Sequence, residues 1–227
     1  NKYSQDLVIA DERPFIKDLD TLPDPLYDLL PLDKYWAPFL GNYMFVEASR
    51  GCPYRCIFCR QGIMYNWKFR TKSGVKLAKE SIALHNRGIN NILFHGDTFT
   101  ANSKVIEDLC DTLINSSTKV RWACNTHAKN LHNNLELINK MKLAGCWMIA
   151  MGIESASDDV LKKAKKGTTV KQISETIHQI DEAGIELWGY FIIGLPGETQ
   201  KTIQKTIDFS LCHPIKIAKF DIAAPYP

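Results

Sequence analysis

The residues best suited to chemistry in this sequence are three cysteines within eight positions, in the run Gly51-Cys52-Pro53-Tyr54-Arg55-Cys56-Ile57-Phe58-Cys59. Thiolates are soft ligands, and a C-x3-C-x2-C spacing lets one loop wrap one soft metal centre. A four-iron, four-sulfur cluster takes one protein ligand per iron, so three cysteines leave one iron open to an exogenous ligand. An open iron implies chemistry. The alternative is a zinc site completed by Cys124 or His127, but structural zinc sites usually add a second C-x2-C pair farther along, and this sequence has none. The full count of seven cysteines is odd, in a chain of 227 residues that does not need disulfide staples, so they read as reduced thiols or metal ligands.

The elements that must position this loop repeat along the chain. Short apolar runs rich in β-branched and aromatic residues start near Tyr43, Ile89, Val120, Cys146, Ile185 and Ile215. They lack the polar alternation of a sheet wetted on one face, so they read as buried strands. Amphipathic segments lie between them at Ser73 to Arg87, Ser103 to Ile114, Asn134 to Ala144, Ser155 to Ala183 with a break at Gly167, and Thr199 to Leu211. The clearest carries Val170, Ile173, Ile177 and Ile180 at helical spacing, a Thr169-x-x-Gln172 capping box ahead of them, and Gly184 at its stop. Strand, helix and strand in this rhythm make parallel βαβ units, and the cysteine loop follows the first strand, where a parallel α/β fold places its chemistry. Periodicity alone leaves an open doubly wound sheet and an incomplete barrel both standing.

Composition bounds the rest. Hydrophobic residues make up 45% and charged residues 23%, the balance of a globular protein with a substantial core. No stretch approaches the roughly 18 apolar residues of a membrane span, and no signal core opens the chain, so a cytoplasmic protein is expected. A net charge of +3 does not argue for nucleic acid. Residues 1–42 hold five of the ten prolines and a net charge of −4, unlike anything that follows, and read as an extended, proline-rich acidic lead-in to a core domain at 43–227. The chain starts at Asn1 without a methionine and ends at Pro227 just after an apolar run, which reads as a piece cut from something longer.

With an aromatic before its last cysteine and the first strand of a βα repeat ahead of it, the cysteine triplet resembles that of the radical S-adenosylmethionine (SAM) enzymes. Further motifs fit: Phe94-His95-Gly96-Asp97-Thr98-Phe99-Thr100, Trp122-Ala123-Cys124-Asn125-Thr126, Gly152-Ile153-Glu154-Ser155, Gly194-Leu195-Pro196-Gly197-Glu198-Thr199 and Ala224-Pro225-Tyr226-Pro227, one after or on each successive strand. Together they resemble the catalytic core of the cobalamin-dependent radical SAM group over about residues 20–227. The resemblance implies a partial (β/α)6 TIM-like barrel of parallel strands, here with the last helix missing. It also implies a cobalamin-binding domain upstream, since this sequence shows no D-x-H-x-x-G signature of its own.

By the same resemblance, Cys52, Cys56 and Cys59 hold the 4Fe-4S cluster, and the amino and carboxylate groups of SAM chelate the fourth iron. Reductive cleavage then yields methionine and a 5′-deoxyadenosyl radical. Phe58 falls near the adenine, Gly96 and Asp97 meet the SAM ammonium, Glu154 meets its ribose or amino group, and Ile192 and Gly194 line the adenine. Where the family often has arginine this chain has His127, which reads more simply as a structural residue. Cys110, Cys146 and Cys212 read as core thiols, and Lys162, Lys163, Lys165 and Lys166 as lysines that close a helix and face water. The implied partners are a small-molecule substrate, an electron donor such as flavodoxin or ferredoxin, and the upstream cobalamin domain. The activity expected is methylation of an unreactive carbon. Its rivals are a radical cyclase of the same group, a tRNA methylthiotransferase and a metal-binding module without turnover.

Overall fold

The computed structural model describes residues 13–225. Nine strands and eight α-helices are present among them. In chain order they are β1 (Trp36–Ala37), β2 (Gly41–Glu47), β3 (Ser49–Arg50), α1 (Gln61–Met64), β4 (Arg70–Thr71), α2 (Gly74–Asn86), β5 (Asn91–His95), α3 (Ser103–Ile114), β6 (Arg121–His127), α4 (Ala128–Leu131), α5 (Leu135–Leu143), β7 (Cys146–Glu154), α6 (Asp158–Lys163), α7 (Val170–Glu182), β8 (Glu186–Ile193), α8 (Gln200–Cys212) and β9 (Ile217–Ile222). Seven strands form one sheet in the order β1-β2-β5-β6-β7-β8-β9. The short β1 runs antiparallel to β2, and every later pair is parallel.

This order decides between the two architectures that periodicity left open. A doubly wound sheet reverses its strand order at a switch point, whereas here each parallel strand lies beside its predecessor. Right-handed crossovers taken always in one direction put every helix on the same side and curl the sheet. The result is a half-barrel with its helices outside, a partial TIM-like barrel that ends at β1 and β9 among the described residues.

Strand alternation sorts side chains between the two faces. Ile92, Phe94, Trp122, Cys124, Ile149, Met151 and Phe191 turn outward and pack on α2, α3, α5 and α7 through Leu77, Leu84, Ile106, Leu109, Ile138, Met141, Ile173, Ile177 and Ile180, all buried. The concave face therefore receives the alternate residues, among them Asn125, Ala150, Gly152, Tyr190 and Ile192. The helix starts follow their caps. Ser73, Asn102, Asn134 and Thr169 each accept a backbone N–H of the first turn, and Thr169 and Gln172 complete the expected capping box.

Three features depart from the sequence reading. The sixth strand, β9, is largely exposed instead of buried, because it is the last strand of the sheet; Phe220 stacks on Phe191 at 4.8 Å, but Ile222 is open. Cys212 is exposed instead of a core thiol, since α8 buries only Thr206. Lys166 does not face water but is buried, for a reason given below. The lead-in, over its described residues, forms three single 3-10 turns at Leu19–Thr21, Tyr27–Leu29 and Leu32–Lys34 and is tied to α2. Asp20 accepts from the Ser73 backbone at 2.8 Å, Lys76 donates to the carbonyls of Asp20 and Leu22, and the Tyr27 hydroxyl donates to Glu80 at 2.7 Å. The first twelve residues, and Tyr226 and Pro227 of the last motif, lie outside the described residues. Among those described, no helix is long and apolar enough to cross a membrane.

Candidate active site

A cavity of about 570 Å³ opens at the C-terminal ends of the parallel strands. One wall is the loop after β2, which supplies Cys52, Tyr54, Cys56, Phe58 and Cys59; Asp97 and Thr98 follow β5, and Asn125 to His127 end β6. Ala150, Gly152 and Glu154 come from β7, Tyr190 and Ile192 from β8, and Asp221 to Ala224 from the end of β9. Lys166 completes the lining. Six strands thus contribute, as in barrel enzymes that build their sites from strand ends.

The cysteine loop has little regular structure and depends on tethers. At its base, the β3–β4 ribbon pairs Ser49 with Thr71 and Arg50 with Arg70. The Gly51 backbone hydrogen-bonds to Asp97, and the Ile57 N–H donates to the Ala164 carbonyl at 3.1 Å. Tyr54 is gripped twice: its ring stacks on His127 with centroids 4.0 Å apart and planes 15° apart, and its hydroxyl donates to Asn130. Asn130 in turn donates to Thr98 and Thr100 at 3.1 Å each, and Thr100 shares a 2.6 Å hydrogen bond with Thr126. A continuous polar chain therefore runs beneath the loop.

The three thiols are free and half-buried, and all face the one cavity. Burial pushes the Cys56 thiol up to about 11, with Lys166 drawing it back and Glu154, Cys52 and Cys59 adding to the rise. Burial likewise raises Cys52, against a hydrogen bond from the Tyr54 backbone. The donor set fits a soft polynuclear centre. It fits zinc poorly: Cys124 points to the opposite, core face of the sheet, and both His127 nitrogens are engaged. Among the described residues, no three His, Cys, Asp or Glu side chains converge as the donors of a single metal ion do.

His127 ends β6 and is buried. Its Nδ1 accepts from the Lys129 N–H at 3.2 Å, which starts α4 and fixes the tautomer, so Nε2 carries the proton and donates to the Lys166 carbonyl at 2.8 Å. Burial, helped by the positive charge of Lys166, lowers its pKa to about 3, so the ring is neutral. It is a prop for Tyr54 and for the Lys166 segment, which agrees with the structural reading of this residue.

Beside the thiols, close enough to act on Cys56, stands an ion pair. Glu154 Oε1 lies 2.9 Å from Lys166 Nζ, with both side chains only 7% exposed. Glu154 takes a left-handed φ of +66° at a register shift between β7 and β8, which turns its carboxylate into the cavity. It does not begin a helix; α6 starts at Asp158 after an N-cap at Ser157. Helix α6 closes with Lys165 at φ +52° and the Lys166 N–H bonded back to the Leu161 carbonyl, a Schellman turn that swings Lys166 inward. Gly152 makes room: a Cβ there would collide with the Glu154 carboxylate and stand 2.7 Å from the Lys166 amine.

Of the residues singled out in the sequence, Cys52, Cys56, Cys59, Phe58, Asp97, Glu154 and Ile192 meet in this cavity. Phe58 also plugs a small apolar cluster of Val160, Ala164 and Leu195. Burial raises the Asp97 carboxyl, partly offset by its bond from Gly51. Gly96 does not line the cavity; a Cβ there would strike the Ser49 side chain, so it serves the close approach of β5 to β3. Gly194 lines an adjoining cavity of about 420 Å³ that shares Phe58 and Cys59. The sequence reading puts Lys166 in water and singles out none of Tyr54, Tyr190 and Asp221; of these three only Tyr54 carries a signal, its place inside the cysteine run.

The sequence model described as "Radical SAM superfamily" matches residues 46–210. An uncharacterized methyltransferase of Pyrococcus horikoshii is 36% identical over 216 residues, which are 95% of this chain and 46% of that protein. An anaerobic magnesium-protoporphyrin IX monomethyl ester cyclase of Cereibacter sphaeroides is 29% identical over 98% of this chain and 37% of its own length. The chain thus spans less than half the length of these curated relatives. In fold it is similar to the radical SAM methyltransferase TsrM of Kitasatospora setae, a structure with cobalamin and a [4Fe-4S] cluster bound (TM-score 0.72, 17% identity, 80% of this chain and 37% of that one).

Proposed function

This chain belongs to the radical SAM superfamily, and from that premise we propose that its cavity holds a 4Fe-4S cluster on Cys52, Cys56 and Cys59 with SAM beside it. The bound cluster supplies the electron that splits the sulfonium of SAM into methionine and a 5′-deoxyadenosyl radical. The chain's own residues bind and orient. Asp97 and Glu154 offer carboxylates to the amino and ribose groups of SAM, and Lys166 holds the Glu154 side chain aimed, because a buried carboxylate without a partner would be costly. Phe58 and Ile192 give the adenine an apolar wall, and Gly194 stands at the edge of that wall. Tyr190 and Asp221, across the cavity from the thiols, face the space left for a small-molecule substrate. The observation that carries this reading is that three free thiols and a buried ion pair share one cavity at the strand ends.

The reaction we infer is methyl transfer to an unreactive carbon, with cobalamin held on a part of the protein upstream of the lead-in. The relatives named methyltransferases and the likeness to a cobalamin-bound methyltransferase support it. The relatives named as a cyclase support a second reading, in which the same radical begins ring closure. Anaerobically reconstituted, reduced protein given SAM is expected to form 5′-deoxyadenosine, and a Cys52→Ala, Cys56→Ala, Cys59→Ala variant none. Iron-loaded protein that binds SAM without cleaving it would overturn the radical reading. Methyl-labelled SAM separates the two reactions, since only methyl transfer places the label on a product carbon.

A further inference from the structure

The outer side of the cysteine loop has a composition found nowhere else in the chain. Between Glu47 and Glu80 there are eight basic residues and no acidic one. The structure turns part of this stretch outward: Arg55, Ile57, Ile63, Met64, Trp67 and Lys68 are all exposed, with Ile63 at 62% and Met64 at 63%. Apolar side chains of this size in the open, next to cations, have the anatomy of an interface core with a charged rim. Three of these cations pair with carboxylates, Arg50 with Glu47, Lys72 with Glu80 and Lys76 with Asp24, while Arg55 and Lys68 are turned outward. The Arg55 guanidinium lies 5.0 Å from the Trp67 ring and the Lys68 amine 5.7 Å from the Phe15 ring, and neither has a carboxylate partner among the described residues.

Position then says what the surface is for. Ile57 stands between Cys56 and Cys59, so its exposed side chain is on the residue next to one of the cysteines and two residues from another. From this loop the mouth of the larger cavity is lined by Cys52, Tyr54, Cys56, Phe58 and Cys59 and not by Ile57, Ile63 or Met64, whereas Ile57 and Ile63 border the adjoining cavity of about 420 Å³. A partner docked on the outer side would approach the cluster closely without blocking that mouth. A phosphate backbone would gain nothing from Ile63 and Met64, whereas an acidic protein with an apolar centre would use both halves of the patch.

We propose that this face, centred on Ile57, Ile63 and Met64 and flanked by Arg55 and Lys68, docks an acidic one-electron carrier protein. The reduced carrier gives up one electron and the cluster accepts it, with no bond made or broken at the interface. The proposal rests on the reading of the cavity as a cluster site.

The test uses the reconstituted full chain, with a purified acidic flavodoxin as the probe. Calorimetry at low and at physiological salt would compare the wild type with Arg55→Glu/Lys68→Glu and with Ile63→Ser/Met64→Ser. Both variants are expected to weaken flavodoxin binding at least roughly tenfold, and the charge reversal to remove most of its salt dependence. Flavodoxin-driven formation of 5′-deoxyadenosine should fall in step, while formation driven by dithionite stays at the wild-type level. Unchanged flavodoxin affinity in both variants would overturn the proposal. So would protection of residues 55–68 from hydroxyl-radical footprinting in the free full chain, which would mean that another part of the protein or a second copy covers the face. Tighter binding of a single-stranded RNA than of flavodoxin would overturn it in favour of a nucleic-acid partner. Failure of dithionite to support SAM cleavage by the wild type would count instead against the cluster reading.

Discussion

The two walls of the cavity are built in opposite ways. The thiol wall, residues 51–69, has one four-residue helix and two successive residues in the left-handed region, Asn66 and Trp67, and its cysteines are half-buried. The second wall, from β7 through α6, is carried by a nine-residue strand and a helix; α6 leaves Asp158, Asp159, Lys162 and Lys163 in solvent, but the Glu154–Lys166 pair is 7% exposed on both sides. The tethers explain how the first wall can work. Gly51 is tied to Asp97 beyond β5, Ile57 to the end of α6, and Tyr54 to His127 and Asn130 beyond β6. An irregular loop carrying the ligands thus borrows its order from the barrel. Damage to the thiol wall should remove the cofactor and leave the fold, whereas damage to the ion-pair wall should reach the fold itself.

The sharpest break in this comparison comes from the cysteines. Cys52→Ala, Cys56→Ala, Cys59→Ala should lower iron after anaerobic reconstitution from about four atoms per chain to background. Its urea midpoint without iron should stay near that of the metal-free wild type. Full iron loading in this variant would dissolve the distinction between the walls.

On the other wall, Lys166→Met strands a buried carboxylate and should cost about 3–5 kcal/mol in urea unfolding of the metal-free protein. Glu154→Gln/Lys166→Met together should recover much of that loss, because neither charge is then left unpaired. SAM affinity should not recover with it. A double variant as unstable as the single would show that the pair is not the unit.

The prop between the walls adds a pH dependence. The folded pKa of His127, about 3, lies below the ordinary histidine value of about 6.5. The unfolded chain therefore binds the extra proton between those limits. The stability that neutral His127 contributes is complete above about pH 6.5 and is lost as pH falls toward 3, by an amount on the order of a few kcal/mol. Unfolding free energies from pH 7 to 4 should fall less steeply in His127→Gln than in the wild type, and parallel curves would contradict the assignment. The smallest effect is expected for Tyr54→Phe, which keeps the ring stack and loses only the bond to Asn130, costing about 0.5–1.5 kcal/mol. Its iron content should stay at the wild-type level, and a collapse of iron loading would make the hydroxyl, not the stack, the main tether.

What was legible in the sequence follows the same division. Long amphipathic helices announce themselves: α3 spans Ser103–Ile114 as its pattern predicts, and α7 sits between its capping box and Gly184 because burial of Ile173, Ile177 and Ile180 enforces the 3.6-residue period. Four-residue helices such as α1 and α4 and two-residue strands such as β1, β3 and β4 are too short to leave a period, yet all of these but β1 frame the thiol loop. Alternation also could not tell that β9 would end the sheet with an open face. At the site, the cysteines stood out by spacing and type. Lys166 did not, because it is one of four lysines in five residues and only the left-handed turn at Lys165 separates it from Lys162 and Lys163, which stay exposed. Such a turn is set by the carbonyls at the end of α6, not by the lysines themselves.

The central claim is that the two walls make one site, with the cluster on one and SAM held between them. Low-temperature electron paramagnetic resonance of the reconstituted, reduced protein titrated with SAM tests it most directly. The account predicts a cluster signal that changes shape as SAM binds in the wild type, and needs far more SAM to change in Glu154→Gln/Lys166→Met. A full-strength signal left unmoved by saturating SAM in the wild type would contradict it.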